Sequence, residues 1–190
     1  MVVKIHKLSD LLVPKGYIRG PFGSSLKRSD MLDSGIPVYE QMNAIYDHRE
    51  FRYYIDEDKF NELKRFKVEP GDLILSCSGT VGRITIIKES DPTGIISQAL
   101  LILRVDPSIV LPEYLKNFFM TKKGLNSLLE RSIGSVQVNI AKREVIENIE
   151  VPIPSLDSQR NSISILSSLD HKINLLKSIN DNLGGLVLAS

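Results

Sequence analysis

The sequence predicts an α/β (α+β) domain with a strand-rich core, followed by a long C-terminal coiled-coil helix. Three observations carry that expectation. Short runs of β-branched and aromatic residues, bounded by turn formers, occupy the first hundred positions. An amphipathic stretch follows them, and beyond Pro152 and Pro154 the periodicity changes to a heptad. The expected division is residues 1–154 for the globular part and 155–190 for the helix.

The predicted strands are "IPVYE" (36–40), "FRYYI" (51–55), "DLILS" (72–76), "VGRITIIK" (81–88) and "IISQALLILRV" (95–105), each bounded by Gly, Pro, Asp or Ser. "LPEYLKNFFMTKKGLNSLLERS" (111–132) places Leu115, Phe118, Phe119, Leu125, Leu128 and Leu129 at helical spacing, with Pro112 suited to a first turn. It predicts one amphipathic helix packed on the sheet. Pro152 and Pro154 then keep the chain extended, and either Ser155 or Asp157 can cap a fresh helix. Leu166, Leu169, Ile173, Leu176, Asn180, Leu183 and Val187 follow at alternating spacings of three and four. This heptad seam is expected to leave the domain and bind a partner helix, with Asn180 fixing register at some cost in stability. The alternative is a helix folded back on its own domain.

Composition bounds the function classes. With 190 residues, 42% hydrophobic and 25% charged, the chain can bury one core and carry one further element. Its first twenty residues lack a signal-peptide pattern, and no stretch approaches the roughly 20 apolar residues of a membrane span. A cytoplasmic protein without membrane association is expected. Cys77 is the single cysteine, which excludes an intrachain disulfide and a cysteine-based zinc cluster. The net charge is +1, unevenly spread: Lys15, Arg19, Lys27 and Arg28 stand within 15–28 without an acid, and six basic residues lie between Tyr114 and Arg143 against Glu130. Such runs are either solvated faces or segments that converge into one phosphate-facing patch.

Signatures of catalysis are missing. No Asn/Asp-Pro-Pro-aromatic loop of an adenine methyltransferase occurs, "GTVGRIT" (79–85) lacks the P-loop spacing and lysine, and His6, His48 and His171 are scattered without metal spacing or a nucleophile motif. No catalytic or metal-ligating residue is expected. What stands out is a set of polar loops: "GPFGSSLKRSD" (20–30), "YEQMNAI" (39–45), "SCSGTVGR" (76–83), "ISQA" (96–99) and "IGSVQVNIAKR" (133–143). Each joins glycine or small residues to Gln, Asn, Ser, Lys or Arg, the groups that read base edges and phosphates. Any one of them alone also reads as an ordinary turn, with Gln41 and Gln98 satisfying strand-end backbone groups.

In this order, "GPFGSSLKRSDMLDSGIPVYEQMNAI", "PGDLILSCSGTVGRI", "ISQALLILR" and "GSVQVNIAKREVIENIEVPIPSLDSQ" resemble the landmarks of a target recognition domain in the specificity subunits of type I restriction-modification enzymes. The heptad helix resembles the conserved spacer that follows it. The resemblance implies a non-catalytic, DNA-binding subunit with no cofactor of its own, S-adenosylmethionine being held by a partner methyltransferase subunit. Its implied partners are double-stranded DNA and that modification subunit, with a restriction/translocase subunit as a further candidate. Residues 1–154 would be the DNA target recognition domain and 155–190 the helical spacer.

The family pattern has two recognition domains and two spacers, whereas this sequence carries one of each. The expectation is a half-subunit that pairs as a homodimer and reads a symmetric, interrupted target. A helix over Asp157 to Val187 would be roughly 45 Å long at ~1.5 Å per residue, setting two heads somewhat more than one roughly 34 Å turn of DNA apart. Lys27, Arg28 and Lys142 are the candidate phosphate contacts; Gln41, Asn43, Thr80, Arg83, Gln98, Gln137 and Asn139 are the candidates near base edges. Leu166, Leu169, Ile173, Leu176, Asn180 and Leu183 are the partner-helix candidates. The alternative from another class is a dimeric protein-interaction adaptor without DNA specificity, distinguished by the weak salt dependence of an apolar interface.

Overall fold

The most apolar stretches of the chain, "LILS" and "LLILRV", are continuous rather than alternating, the pattern of strands covered on both faces. The computed structural model, which describes residues 3–131 and 138–188, puts these two strands side by side and covers both.

The chain runs from β1 (Lys4–Lys7) through a 3-10 turn at Leu8–Leu11 into β2 (Leu12–Arg19). β3 (Ile36–Tyr39), α1 (Gln41–Tyr46), β4 (Tyr54–Ile55) and α2 (Glu57–Glu62) follow, then β5 (Leu73–Ser76) and β6 (Ile84–Ile86). β7 (Ile95–Ile96) and β8 (Leu100–Val105) precede α3 (Pro112–Met120) and α4 (Lys122–Leu128). β9 (Leu129–Arg131), β10 (Val138–Ile140), α5 (Arg143–Glu147), β11 (Glu150–Ile153) and α6 (Leu156–Leu188) complete the order.

The central sheet is antiparallel with order β2-β8-β5-β6. Alternation divides its side chains between two cores. Leu73, Leu75, Leu101, Leu103 and Val105 join Leu8, Leu11, Leu115, Phe119, Leu128 and Ile146 on one face. Ile74, Leu100 and Ile102 join Ile18, Tyr39, Val68 and Ile96 on the other. A smaller sheet, β4-β3-β7, closes over that second face, with β3 parallel to β7. At the sheet's side Arg104 grips the buried Asp72 with two hydrogen bonds of 2.7 and 2.8 Å, and Glu69 at 2.8 Å completes the cluster.

Three elements depart from the sequence reading for identifiable reasons. The stretch 95–105 is two strands, because Ser97 to Ala99 turn the chain: Ser97 N–H donates to Tyr39 O and Leu100 N–H to Ser97 O. The single helix over 111–132 is two helices and a strand. Thr121 Oγ1 caps the second helix by accepting from Gly124 N–H at 3.0 Å, and a Cβ on Gly124 would stand 2.1 Å from the Phe118 carbonyl oxygen. That approach only glycine permits. "FRYYI" contributes only Tyr54–Ile55 as strand.

The proline step is held in a ribbon. β11 pairs antiparallel with β1, Pro152 opposite Ile5, and the Pro152 carbonyl accepts from the Tyr114 hydroxyl at 3.0 Å. Ser155 rather than Asp157 caps α6, its Oγ accepting from Ser158 N–H at 3.4 Å, while Asp157 pairs with Arg160. The first turns of α6 pack on α3; from Ser164 to Asn180 every side chain is exposed. The helix leaves the domain instead of folding back on it.

A candidate nucleic-acid interface built from convergent loops

Four of the five polar loops meet at one end of the central sheet. Gly20 follows β2 so close to the "ISQA" turn that a Cβ there would lie 2.0 Å from Ser97 O, and its N–H donates to Leu100 O at 3.0 Å. Cys77 N–H donates to Ala99 O at 2.8 Å, which ties the "SCSGTVGR" loop to the same turn. Gln41, the first residue of α1, donates from Nε2 to Ser78 Oγ at 3.2 Å, and Gly79 (φ +62°) passes beneath it. Loops from four separate parts of the chain are thereby locked together.

Ser76, which the sequence reading did not single out, shapes the longest of these loops. Fully buried at the end of β5, its Oγ donates to Thr80 O at 2.6 Å and accepts from Arg83 N–H at 2.9 Å. Gly82, at φ +83°, lets the return strand pass Leu125. A serine closing a strand before a glycine loop was the available signal.

Gln41 and Gln98 line one cleft of about 700 Å³, with Ser97, Phe51 and Arg52 around it. Ser97 Oγ is buried on its wall with no hydrogen-bond partner among the described residues. Asn43 lies in the same wall but is buried and committed: Oδ1 accepts from Glu40 N–H at 2.7 Å, and Nδ2 donates to His48 O at 3.1 Å and Glu50 O at 2.9 Å. Both its donors are occupied, so Asn43 holds the α1 loop and leaves the set of base-edge candidates. Thr80 and Arg83, both exposed, border a separate depression of about 220 Å³ beside Phe119, Met120 and Leu125.

Lys27 and Arg28 are exposed in a 3-10 turn that Asp30 fixes by accepting from Lys27 N–H at 2.8 Å. That hydrogen bond is the largest cause of the lowered Asp30 pKa. Lys142 is exposed immediately before α5. Gln137 lies outside the described residues; Asn139 stands in β10 opposite Glu130, its side chain outside the described part. The structure therefore gathers Gln41 and Gln98, places Thr80 with Arg83 nearby, and leaves Lys27, Arg28 and Lys142 on other surfaces.

On α6, Leu166, Leu169, Ile173 and Leu176 are 43–64% exposed, and Ile165, Leu175 and Ile179 widen the stripe. Asn180 is exposed in line with them, and the Leu183 side chain lies outside the described part. An apolar face of this extent marks an interaction surface. Among the described residues no helix is long and apolar enough to cross a membrane, and no group of three or more His, Cys, Asp and Glu is placed to hold a metal ion.

The described residues form a mixed α/β head with clustered polar loops at one end and a helix with an exposed apolar face at its exit. Residues 23–184 match the family described as the type I restriction modification DNA specificity domain, and the chain belongs to that family. It is 26% identical over 179 residues to the type I restriction enzyme MjaVIII specificity subunit of Methanocaldococcus jannaschii, covering 92% of this chain and 40% of that protein. A solved chain from a type I R-M system superposes with a TM-score of 0.68 at 18% identity, over 92% of this chain and 40% of the other. The HsdS subunit from Thermoanaerobacter tengcongensis gives 0.63 at 17%, over 92% and 39%. The chain thus spans about 40% of the length of the specificity subunits it matches.

Proposed function

We propose that this chain is a DNA-reading half-unit of a type I restriction-modification system. Residues 1–154 act as the target recognition domain, engaging one half of an interrupted target. Residues 155–190 act as the spacer, pairing with a second copy and docking adenine-N6 methyltransferase subunits; the chain itself performs no chemistry. The observation that carries the reading is the locking together of four polar loops, with exposed Gln98 and half-buried Gln41 on one cleft. Amide side chains on convergent loops suit the paired donors and acceptors of base edges.

Pairing with a second copy is supported by the flanks of the helix seam. Asp170 and Lys177 each follow a seam leucine, Leu169 and Leu176, by one residue. Flanks of the same type face each other in an antiparallel pair, so Asp170 of one copy meets Lys177 of its partner, twice by symmetry. A parallel pair would instead set Lys172 against Lys177. The flanking charges therefore favour the antiparallel arrangement, which carries the two heads to opposite ends.

Co-expression with a type I methyltransferase subunit, followed by sequencing of host DNA for N6-methyladenine, tests the reading. A new symmetric interrupted motif is expected. An asymmetric motif would assign the second half to a different chain. A soluble complex with active methyltransferase and no new motif would overturn the specificity role. Salt-insensitive binding to another protein through the same loops would favour an adaptor.

A further inference from the structure

Basic residues that are scattered in the sequence gather beside the recognition loops. Two depressions, of about 350 and 570 Å³, share Tyr17, Arg65 and Arg143 and so form one open trough. Among the described residues six cations line it, Lys15, Arg19, Arg65, Arg104, Lys142 and Arg143, and no carboxylate does. Arg104 is neutralised by Asp72 and Glu69, and Arg143 by Glu147 at 2.8 Å. The other four form no ion pair among the described residues. Such a concentration is conspicuous in a chain of net charge +1.

The acidic hydrogen in the trough's lining, that of Tyr17, does not offset this charge, because burial pushes the hydroxyl up to about 12. The Cys77 thiol, buried in the core near Arg19 and outside the lining, is pushed up to about 11, so both stay neutral at pH 7. Two features show the cations held at a cost. Lys15 adopts φ 63°, a region where a non-glycine residue is strained, within an irregularity of β2 between Leu12 and Tyr17. Arg19 buries Nη1, and the partner its guanidinium finds in the core is the weakly accepting Cys77 sulfur. Arg19 also leads directly into the loop 20–30, its guanidinium 5.7 Å from the exposed Phe22 ring.

We propose that this trough is a track for the sugar-phosphate backbone of duplex DNA, running beside the base-reading loops; it rests on the DNA reading above. Lys15, Arg19, Arg65 and Lys142 are its anchors, and Arg143, stacked 4.8 Å over Tyr17, is a fifth cation beside them. An acidic protein segment is the competing occupant. None of the described large exposed apolar side chains lines the trough, Phe22 standing at its edge beside Arg19, so the lining itself lacks the apolar anchor on which protein interfaces centre.

Arg65 and Lys142 are exposed, so Arg65→Gln with Lys142→Gln leaves the core untouched, as an unchanged thermal midpoint would verify. Binding of the full chain to a random-sequence duplex roughly three helical turns long is followed over a range of salt. Each phosphate contact contributes ~0.9 to the slope of log K against log salt, so the pair should lower it by roughly 2. Lys88→Gln with Lys116→Gln, removing the same charge at the root of α6, should leave the slope near wild type. An unchanged slope in the trough pair, or an equal fall in both pairs, overturns the proposal while the DNA reading stands. A trough pair that keeps its slope but no longer co-purifies with the methyltransferase subunit also overturns it, in favour of a protein-docking surface. A wild-type chain without salt-dependent duplex binding sinks the DNA reading and the track together.

Discussion

The Gln159 side chain accepts a hydrogen bond from the Leu111 amide at 2.9 Å, across 48 residues of sequence. The same side chain donates from Nε2 to Ile109 O and Pro154 O, both at 3.0 Å. One fully buried glutamine thus ties the first turn of α6 to the start of α3 and to the proline step. With β1 paired to β11 and Tyr114 on Pro152, the exit of the helix is fastened from three sides. On the proposed function the helix would space two recognition heads and would need such a root, because an angular error at the root grows along roughly 45 Å of helix.

Replacing Gln159 by Leu leaves the Leu111 N–H and the Ile109 and Pro154 carbonyls without this partner, at about 1–3 kcal/mol for a buried group left unsatisfied. A glutamate there should be worse than leucine: it retains an acceptor for Leu111 but cannot make both donations, and it buries a charge. Urea unfolding of Gln159→Leu and Gln159→Glu tests this; a Gln159→Glu chain as stable as wild type would contradict the assigned contacts.

Ser76→Ala should cost about 1–3 kcal/mol, since Arg83 N–H and Thr80 O lose their shared partner within the loop. The expected signature is a lower thermal midpoint with broadened amide resonances confined to residues 76–83. Ser76→Thr tests whether a hydroxyl alone restores the loop.

Arg83→Ala should relax discrimination at one base by about 1–3 kcal/mol if its guanidinium reads guanine, and Gln98→Ala should relax it elsewhere in the target. Competition binding against single-base variants of the methylated motif measures both. Unaltered affinity and site choice would remove Arg83 from the reading surface.

Asn180→Leu should tighten association of the helix while weakening its control of register and partner number. Sedimentation equilibrium of wild type and variant is the check, with mixed species expected only in the variant. On the proposed antiparallel pairing, Asp170→Lys should weaken self-association by setting like charges together, and Lys177→Asp in the same chain should restore it.

Stability should fall with alkaline pH. Cys77 and Tyr17 have their pKa values raised by burial from 9.0 to about 11 and from 10.0 to about 12. Between pH 9 and 12 the folded chain therefore holds more protons than the unfolded one, so the free energy of unfolding declines across that window. Denaturant midpoints from pH 8 upward test the sign, and Tyr17→Phe should flatten the upper part of the curve.

Much of the fold was legible because its signals are local. The two central strands, "LILS" and "LLILRV", announced themselves by composition, and Pro152 and Pro154 marked the approach to α6. The break at Thr121 was not legible: the apolar spacing of residues 111–132 continues across it, and only the approach of Gly124 to the Phe118 carbonyl divides the helix. Asn43 shows the same limit at the site. Its type and loop suited a base reader, but the hydrogen bonds to His48 and Glu50 depend on how the chain returns after α1.

By itself the sequence determined the class of the head, the long apolar-seamed helix, and the identity and order of the polar loops, because these rest on residue type and spacing along the chain. Only the tertiary structure decided which loops share a cleft, which basic residues gather into the trough, and how Gln159 fixes the helix root. Those are relations between residues tens of positions apart, set by how two apolar cores close on opposite faces of one sheet. No periodicity within a single segment can record them.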